Sequence, residues 1–135
     1  MTPTHNLSAR VYYEDTDAGG VVYHSNHLKF AERGRTEYLR SLGFLNSGLM
    51  NDEGVLFVVR RVEADYLKPA RLDDLLTVKT ALQTVKNTSF LMKQDIMRGD
   101  DLLFSMNVLL VCVNKDGKPV GIPPAIKDAF NNPPV

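Results

Sequence analysis

The chain has 135 residues, 44% of them hydrophobic and 24% charged, and its 16 basic and 16 acidic side chains cancel to a formal net charge of zero at pH 7. A chain of this length forms one domain, over residues 1–135, and buries roughly two-thirds of the surface that its unfolded form exposes, which excludes a miniprotein stapled by disulfides or metal. The zero net charge counts against nucleic-acid binding, because no overall basic field attracts phosphates.

The first predicted elements are a strand and a loop. Apolar and polar side chains alternate from Leu7 onward with the period of two that a half-buried strand shows. One face carries Leu7, Ala9, Val11 and Tyr13. Residues 15–20 then combine turn-forming aspartates with paired glycines, which tolerate positive φ angles. We therefore expect the strand to stop at Asp15 and a loop to follow.

The next predicted element is one long helix over residues 24–43. Apolar or small residues recur there every three or four positions, at Leu28, Ala31, Gly34, Tyr38 and Leu42. This spacing places them on one face of an amphipathic helix. The side chain of Ser25 or Asn26 is expected to cap the start, and Gly43 to close the end in a left-handed conformation.

The remaining sequence predicts four strands. Residues 62–66 and 76–82 alternate with a period of two, and residues 89–97 and 102–113 are two further, largely apolar runs. Short polar segments separate the last three runs and predict tight turns. Pro69 predicts a strand end or a bulge, because proline cannot donate to a strand ladder. Consecutive strands joined by short turns imply an antiparallel meander.

This order of elements predicts an α+β fold, in which one helix covers one face of an antiparallel sheet of about five strands. A connector over residues 44–54 and a short final helix over residues 124–130 complete it. One helix covers only part of one sheet face, so the remaining strand surface and the sheet edges are expected to meet another subunit. The sequence therefore predicts a homo-oligomer.

Three features of the sequence predict a cytoplasmic protein. The longest apolar run, residues 102–113, falls short of the roughly 20 residues that span a bilayer, so no transmembrane segment is expected. The first six residues carry neither a basic segment nor an apolar stretch, and Cys112 is the only cysteine. Neither secretion nor a disulfide framework is therefore predicted.

The densest polar cluster, residues 14–24, lies between the first strand and the long helix. A carboxylate on a glycine-bearing loop just before a helix can face backbone N–H groups that lack helical partners, near the positive end of the helix dipole. Such a loop pairs a base with an oxyanion site. The alternative, more usual for aspartate, is that Asp15 and Asp17 only close an Asx turn or cap the helix. Divalent-metal binding by Asp-Thr-Asp is a weak third interpretation.

Other chemically interesting residues receive simpler interpretations. His24 and His27 are three residues apart, a spacing that matches no zinc signature, so a hydrogen bond near the helix start is the commoner role. Cys112 lies in the most apolar run and is predicted to be a small buried hydrophobe. Lys86 is the best local candidate for binding an anion, because its turn also carries the Thr88 hydroxyl and backbone donors.

Several segments together resemble a known family. Residues 10–24 read RVYYEDTDAGGVVYH, and residues 30–37 read FAERGRTE. With residues 57–60, 66–74 and 111–113 they are similar to the hotdog-fold acyl-CoA thioesterases of the 4-hydroxybenzoyl-CoA thioesterase type, and most of all to the Tol-Pal-associated bacterial subgroup. The resemblance covers nearly the whole chain, and its N-terminal motif is specific.

The resemblance implies a hotdog fold, in which a curved antiparallel sheet wraps a long central helix, with dimers formed edge to edge and often paired into a homotetramer. It implies that Asp17 is the catalytic carboxylate and that the His24 N–H polarises the thioester carbonyl. Tyr23 and Gly20 shape this loop. The sequence departs from the family pattern at His27, where an aromatic residue or leucine is common.

A second departure, Gly34, costs up to about 1 kcal/mol of helix propensity relative to alanine and is expected to permit close packing of the helix on the sheet.

The remaining substrate-binding residues are expected to come from two regions. Hotdog sites usually lie between subunits, so a strand of one chain is expected to line the pocket that contains Asp17 of the other. Its residues are Phe57, Val58, Val59 and Arg60. Lys86 and Thr88 are expected to contact the nucleotide phosphates of coenzyme A.

The sequence thus predicts a cytoplasmic enzyme that hydrolyses acyl-CoA to a free acid and coenzyme A without metal or cofactor. Asp17 would activate water as a general base or attack the thioester to form a mixed anhydride. The His24 side chain would orient water or the leaving group. Two alternatives stay open. One is a non-catalytic scaffold that docks acyl carrier protein or a membrane-associated complex, peripheral to the inner membrane. The other is a hotdog dehydratase that uses His24.

Overall fold

The fold is a five-stranded antiparallel sheet with one long helix, as the sequence predicts, and the computed structural model describes residues 4–132. The strands are β1 (His5–Arg10), β2 (Val55–Tyr66), β3 (Leu75–Val85), β4 (Ser89–Arg98) and β5 (Asp101–Asn114). The helices are α1 (His24–Ser41), α2 (Asn46–Gly48) and α3 (Pro124–Asn131), with a 3-10 turn at Tyr13–Asp15 and a π-helical segment at Leu49–Glu53. Within this part of the chain no helix combines the length and apolarity needed to cross a membrane.

The strand order is β1-β3-β4-β5-β2, which corrects the predicted meander. β3, β4 and β5 do follow one another, but β2 pairs with β5 at the far edge and β1 pairs with β3. Leu67 and Lys68 extend the pairing of β2 with β5, because both donate their N–H groups to the Leu103 carbonyl, and the chain then crosses to β3 at the other side of the sheet. Strand periodicity specifies which side chains share a face, and it does not specify which strands are neighbours.

The first strand is shorter than its alternating pattern predicts. β1 ends at Arg10, and Tyr13, which the pattern places on the apolar face, is 81% exposed. The Asp15 carboxylate accepts the Tyr12 N–H at 2.9 Å and so folds the chain into the 3-10 turn. Local hydrogen bonding by an aspartate therefore replaces the last residues of the predicted strand.

Helix α1 packs very closely on the sheet through Gly34. A Cβ atom at this position would lie 2.7 Å from Val78 Cγ1 and 2.9 Å from Thr80 Oγ1, both in β3. Buried Gln94 of β4 reaches the same contact, where its amide nitrogen donates to the Ala31 carbonyl and to Thr80 Oγ1, each at 2.8 Å. The close approach expected of Gly34 is therefore confirmed.

The ends and face of α1 differ in part from the predictions. The helix begins at His24, and neither Ser25 nor Asn26 caps it, because the Asn26 amide donates instead to Asp15. Gly43 does close the other end, with φ of 96°. Leu28, expected on the buried face, is 39% exposed. The buried apolar stripe is Phe30, Ala31, Gly34, Tyr38 and Leu39.

The rest of the core follows the predicted alternation, whereas β2 does not. Leu76, Val78, Thr80 and Leu82 of β3 are all buried, and so is Cys112, where burial raises the pKa of the thiol. Residues 59–66 of β2 are exposed in spite of their regular alternation. Among the described residues, β2 has a strand neighbour on one side only, so its outer edge is unpaired there and apolar side chains such as Val62 are exposed.

Replacing Gly34 with alanine is expected to destabilise the fold. The new methyl group must displace buried Val78, and such overpacking costs about 1–3 kcal/mol, which the better helix propensity of alanine offsets by at most about 1 kcal/mol. Urea unfolding at one fixed protein concentration measures the loss. Gly48→Ala is the matched control, because its nearest neighbour would lie at an ordinary 3.8 Å. Equal stability of the two variants would contradict the close contact.

Candidate active site

The loop between β1 and α1, residues 11–23, is attached to the segment that precedes β3. Val22 donates its N–H to the Ala70 carbonyl, and Leu72 donates to the Gly20 carbonyl, both at 2.9 Å. The Val11 N–H similarly donates to the Asp74 carbonyl. These backbone bonds hold the loop at the end of the sheet where β3 begins.

Asp17 lies exposed at the tip of this loop and closes an Asx turn. Its Oδ1 accepts the Gly19 N–H at 2.8 Å and the Val21 N–H at 3.4 Å, and Gly20 adopts a positive φ of 77°. Within residues 4–132, Oδ2 accepts no hydrogen bond. The Asx turn that the sequence left as an alternative is therefore present, and it holds one carboxylate oxygen while the other faces solvent.

Asp15 has a different environment from Asp17. It is only 5% exposed, and its two carboxylate oxygens accept hydrogen bonds from the Tyr12 N–H at 2.9 Å and the Asn26 amide at 3.0 Å. Its carbonyl accepts the Tyr23 N–H. Asp15 therefore ties the loop to the first turn of α1. Sequence reasoning did not anticipate Asn26 in this role, although an amide two residues into a helix is a signal of local hydrogen bonding.

His24 is the first residue of α1, so its N–H has no acceptor within the helix. The Tyr66 hydroxyl, at the end of β2, donates to the His24 carbonyl at 2.6 Å, and the two rings meet edge to face at 6.0 Å. Burial raises the pKa of Tyr66. Tyr66 thus fixes the helix start against the sheet, a role that its sequence position alone did not indicate.

His27 lies beneath the helix start and is 4% exposed. Its ring packs against Phe104 and Tyr66, both at 5.1 Å, and its Nδ1 lies 3.1 Å from the Tyr23 carbonyl. Burial lowers the pKa of His27, an effect that the backbone contacts with Tyr23 and His24 only partly oppose. The neutral imidazole therefore donates from Nδ1 and braces the residue that precedes the helix.

Acidification is expected to destabilise the protein through His27. The folded state holds the pKa of His27 below its ordinary 6.5, so the unfolded chain binds more protons below that pH. The contribution of neutral His27 to the free energy of unfolding is fully present above pH 6.5 and is lost as the pH drops through the folded-state pKa. Thermal unfolding of wild type and His27→Phe between pH 7 and about pH 5 tests this. The variant is expected to lose less stability on acidification than wild type, whereas His24→Gln, at an exposed histidine, should resemble wild type.

The residues expected from β2 lie away from Asp17 within the same chain. Phe57 packs edge to face on Phe90 at 4.9 Å, Val58 pairs with Val111, and Arg60 lies at a bulge. These positions belong to the first half of β2, whereas the His24 contact is at its last residue, Tyr66. One chain alone does not bring the two groups together.

Lys86 and Thr88 lie still farther from the loop. They form the turn between β3 and β4, where the Lys86 N–H donates to the Ser89 carbonyl and Thr88 accepts the Cys112 N–H, both at 2.8 Å. β3 begins beside the loop and ends at Val85, so at about 3.3 Å per residue Lys86 is roughly 30 Å from Asp17. The two regions occupy opposite ends of the sheet.

A cavity of about 340 Å³ lies between α1 and the sheet, near the first half of β2. Its floor is apolar and includes Phe57, Phe90, Met92 and Leu110, and Arg35 and Glu32 line it from the helix. This volume is within the range of small-molecule sites. Val59, 48% exposed, stands where the cavity meets the free edge of the sheet.

Comparison with known proteins identifies the family of this chain. Residues 19–105, which include the end of the loop, all of α1, β2, β3 and β4 and the start of β5, match the family model described as thioesterase superfamily. The chain belongs to the thioesterase superfamily. The prediction that it is a thioesterase is therefore confirmed.

Three proteins illustrate the similarity of this thioesterase to its relatives. The acyl-CoA thioesterase YbgC of Haemophilus influenzae is 47% identical over 128 residues, 94% of each chain. A probable thioesterase from Bartonella henselae is 43% identical, with a TM-score of 0.87 over 90% of this chain and 100% of that one. The 4-hydroxybenzoyl CoA thioesterase of Pseudomonas sp. strain CBS-3 is 19% identical, with a TM-score of 0.83 over 92% and 97%. This last likeness concerns the fold alone, and the predicted hotdog fold is confirmed.

Proposed function

We propose that this thioesterase hydrolyses acyl-CoA to a free acid and coenzyme A, with Asp17 as the catalytic carboxylate. The observation that carries the proposal is the position of Asp17, held exposed by the Gly19 N–H in a loop that ends at the N–H of His24, which has no acceptor within helix α1. The names of relatives such as the Haemophilus influenzae acyl-CoA thioesterase support this choice of substrate.

The chemistry follows from these two groups. The thioester carbonyl oxygen accepts a hydrogen bond from the His24 N–H, which stabilises the negative charge that develops on it. Asp17 then removes a proton from water that attacks the carbonyl carbon, or attacks that carbon itself and forms a mixed anhydride that water cleaves. In both routes the C–S bond breaks and coenzyme A leaves as a thiolate, which takes a proton from Asp17 in the first route and from solvent water in the second. The exposed His24 side chain is placed to orient the water or the leaving group.

The active assembly is proposed to be a dimer in which two β2 edges pair antiparallel. The free edge and the exposed apolar side chains of Val62 and Tyr66 support this arrangement. Two-fold symmetry sets the Tyr66 end of one strand beside the Val55 end of the other. The loop with Asp17 of one chain then faces residues 57–60 and the cavity of its partner, and two dimers would form the homotetramer.

Lys86 is proposed to bind the phosphates of coenzyme A from the partner subunit, together with Thr88. In the edge-paired dimer the β3–β4 turn of one chain lies toward the same end of the assembly as the Asp17 loop of the other. Because the net charge of the protein is zero, attraction of the nucleotide depends on such local side chains.

Replacing Lys86 with alanine is therefore expected to raise KM for an acyl-CoA, more at low salt, where charges are screened least. Hydrolysis of the corresponding acyl-pantetheine, which lacks the nucleotide, should not change. Lys79→Ala, at an exposed position in the middle of β3, is the control and should affect neither substrate. An equal loss on both substrates would show that Lys86 supports the fold or the acyl pocket.

Colorimetric measurement of thiol release from a panel of acyl-CoAs tests the proposed function. Hydrolysis of at least one ester, dependent on Asp17, is the expected result. Absence of thiol release across the panel would favour the scaffold, and loss of water from a 3-hydroxyacyl-CoA without thiol release would favour the dehydratase. Cytoplasmic location, attachment at the inner-membrane periphery, association with Tol-Pal and docking of acyl carrier protein stay predictions.

A further inference from the structure

The cavity beside α1 contains a charged group without a counter-ion. Arg35 donates from one guanidinium nitrogen to the Gln94 side-chain oxygen at 3.0 Å, and within residues 4–132 it forms no ion pair. A guanidinium carries five N–H donors, so most of them remain available. Burial lowers the pKa of Arg35, which reflects the cost of keeping this cation away from water.

The position of Arg35 is fixed by a buried polar network. Gln94 is fully buried, and its amide nitrogen donates to the Ala31 carbonyl and to Thr80 Oγ1, so its oxygen points at Arg35. The close approach of α1 at Gly34 makes this network possible. The guanidinium is therefore held in place before any ligand arrives, which reduces the entropic cost of binding.

The acidic side chain whose charge acts on Arg35, Glu32, forms no ion pair with it within the described residues. Glu32 lies one helical turn away and also lines the cavity, but it is exposed, and its charge acts on Arg35 without direct contact. Exposed charges are screened by water and salt, whereas a half-buried guanidinium is screened less. The cavity thus combines an apolar floor with a preorganised cation.

We infer that the cavity binds the acyl group of the substrate, and that Arg35 selects acyl groups that end in a carboxylate. This assignment rests on the proposed thioesterase function and on the edge-paired dimer, in which Asp17 of the partner subunit faces the cavity mouth. The methylene chain of such an acyl group packs on Phe57, Phe90 and Met92. Its terminal carboxylate accepts hydrogen bonds from the free Arg35 N–H groups, which match two oxygens at once.

The test compares two esters of equal size. Glutaryl-CoA ends in a carboxylate, and 5-methylhexanoyl-CoA carries an isopropyl group of the same shape there, so coenzyme A contacts cancel in the ratio of their kcat/KM values. Wild type is expected to favour glutaryl-CoA. Arg35→Met is expected to lower this ratio about ten- to a hundredfold, as loss of a hydrogen bond to a charged group does, and Arg40→Met, an exposed arginine on the same helix, should leave the ratio unchanged.

Further outcomes keep the assignment separate from the proposed function. If Arg35→Met fails to fold, Arg35→Lys, which keeps the charge but loses the two-nitrogen fork, should lower the ratio as well. Equal ratios for all variants, or a wild-type preference for the isopropyl ester or for 5-hydroxypentanoyl-CoA, would overturn the assignment while hydrolysis itself stands. If no ester is hydrolysed, the proposed function fails, and calorimetric measurement of binding then tests the carboxylate site. Tighter binding of glutaryl-CoA than of 5-methylhexanoyl-CoA, lost in the Arg35 variant, would support the site. Equal binding of the two esters would overturn it.

Discussion

Replacing Asp17 with asparagine is expected to remove nearly all thioester hydrolysis, by about 10²–10⁴-fold if Asp17 acts as a general base, while the folded oligomer remains intact. Asparagine keeps the Oδ1 atom that accepts the Gly19 N–H, so the Asx turn survives. It is neither a base nor a nucleophile at neutral pH. Thiol release measures the activity, and thermal unfolding and light scattering measure the fold and assembly.

Two other aspartates serve as comparisons for Asp17→Asn. Asp116→Asn changes an exposed turn between β5 and the C-terminal segment and should leave hydrolysis unaltered. Asp15→Asn should reduce hydrolysis less than Asp17→Asn does. It should also lower stability, because asparagine has one side-chain oxygen and therefore loses one of the two buried acceptors that bind the Tyr12 N–H and the Asn26 amide. Near-normal hydrolysis by folded Asp17→Asn protein would place catalysis at another residue.

Mixing two inactive variants is expected to restore activity, because each site is proposed to take Asp17 from one chain and the β2 wall from the other. Val59→Arg fills the cavity mouth from an exposed position, so it should block the site without unfolding the chain. When Asp17→Asn and Val59→Arg chains exchange randomly, half of the dimers are mixed and each has one intact site. About a quarter of wild-type activity is therefore expected.

The matched control for mixing is the double variant. Chains that carry both Asp17→Asn and Val59→Arg, mixed with Asp17→Asn chains, leave no intact site and should recover nothing. Mass measurement of the mixed assemblies shows whether exchange has occurred. A monomer in light scattering, or exchanged dimers without recovered activity, would show that each site belongs to a single chain.

Several features of this protein are readable from local sequence because short-range physics determines them. The three-to-four spacing from residue 24 onward predicts α1, and Gly43 ends it because glycine tolerates the left-handed conformation. The alternation through β3 predicts its buried face, since successive side chains point to opposite sides of a strand. The aspartates and paired glycines of residues 15–20 likewise predict the loop between β1 and α1.

Other features depend on contacts between distant residues. The alternating pattern of β2 resembles that of β3, yet β2 is an edge strand, because strand order depends on the path of the segment that follows it. Asp15 and Asp17 lie in the same loop and are chemically identical, so the sequence does not distinguish them. The contact with Asn26 of α1 shows that the fold buries Asp15.

The sequence by itself determined the element types, the hotdog fold, the close packing at Gly34 and the residue at the loop tip, because period, turn chemistry and family motif are local properties. Only the tertiary structure decided that Lys86 and residues 57–60 lie away from Asp17 within one chain, and that Arg35 enters a cavity with an apolar floor and forms no ion pair within the described residues 4–132. Those results depend on which strands become neighbours and how closely α1 approaches them, and such long-range packing leaves no periodic signal along the chain.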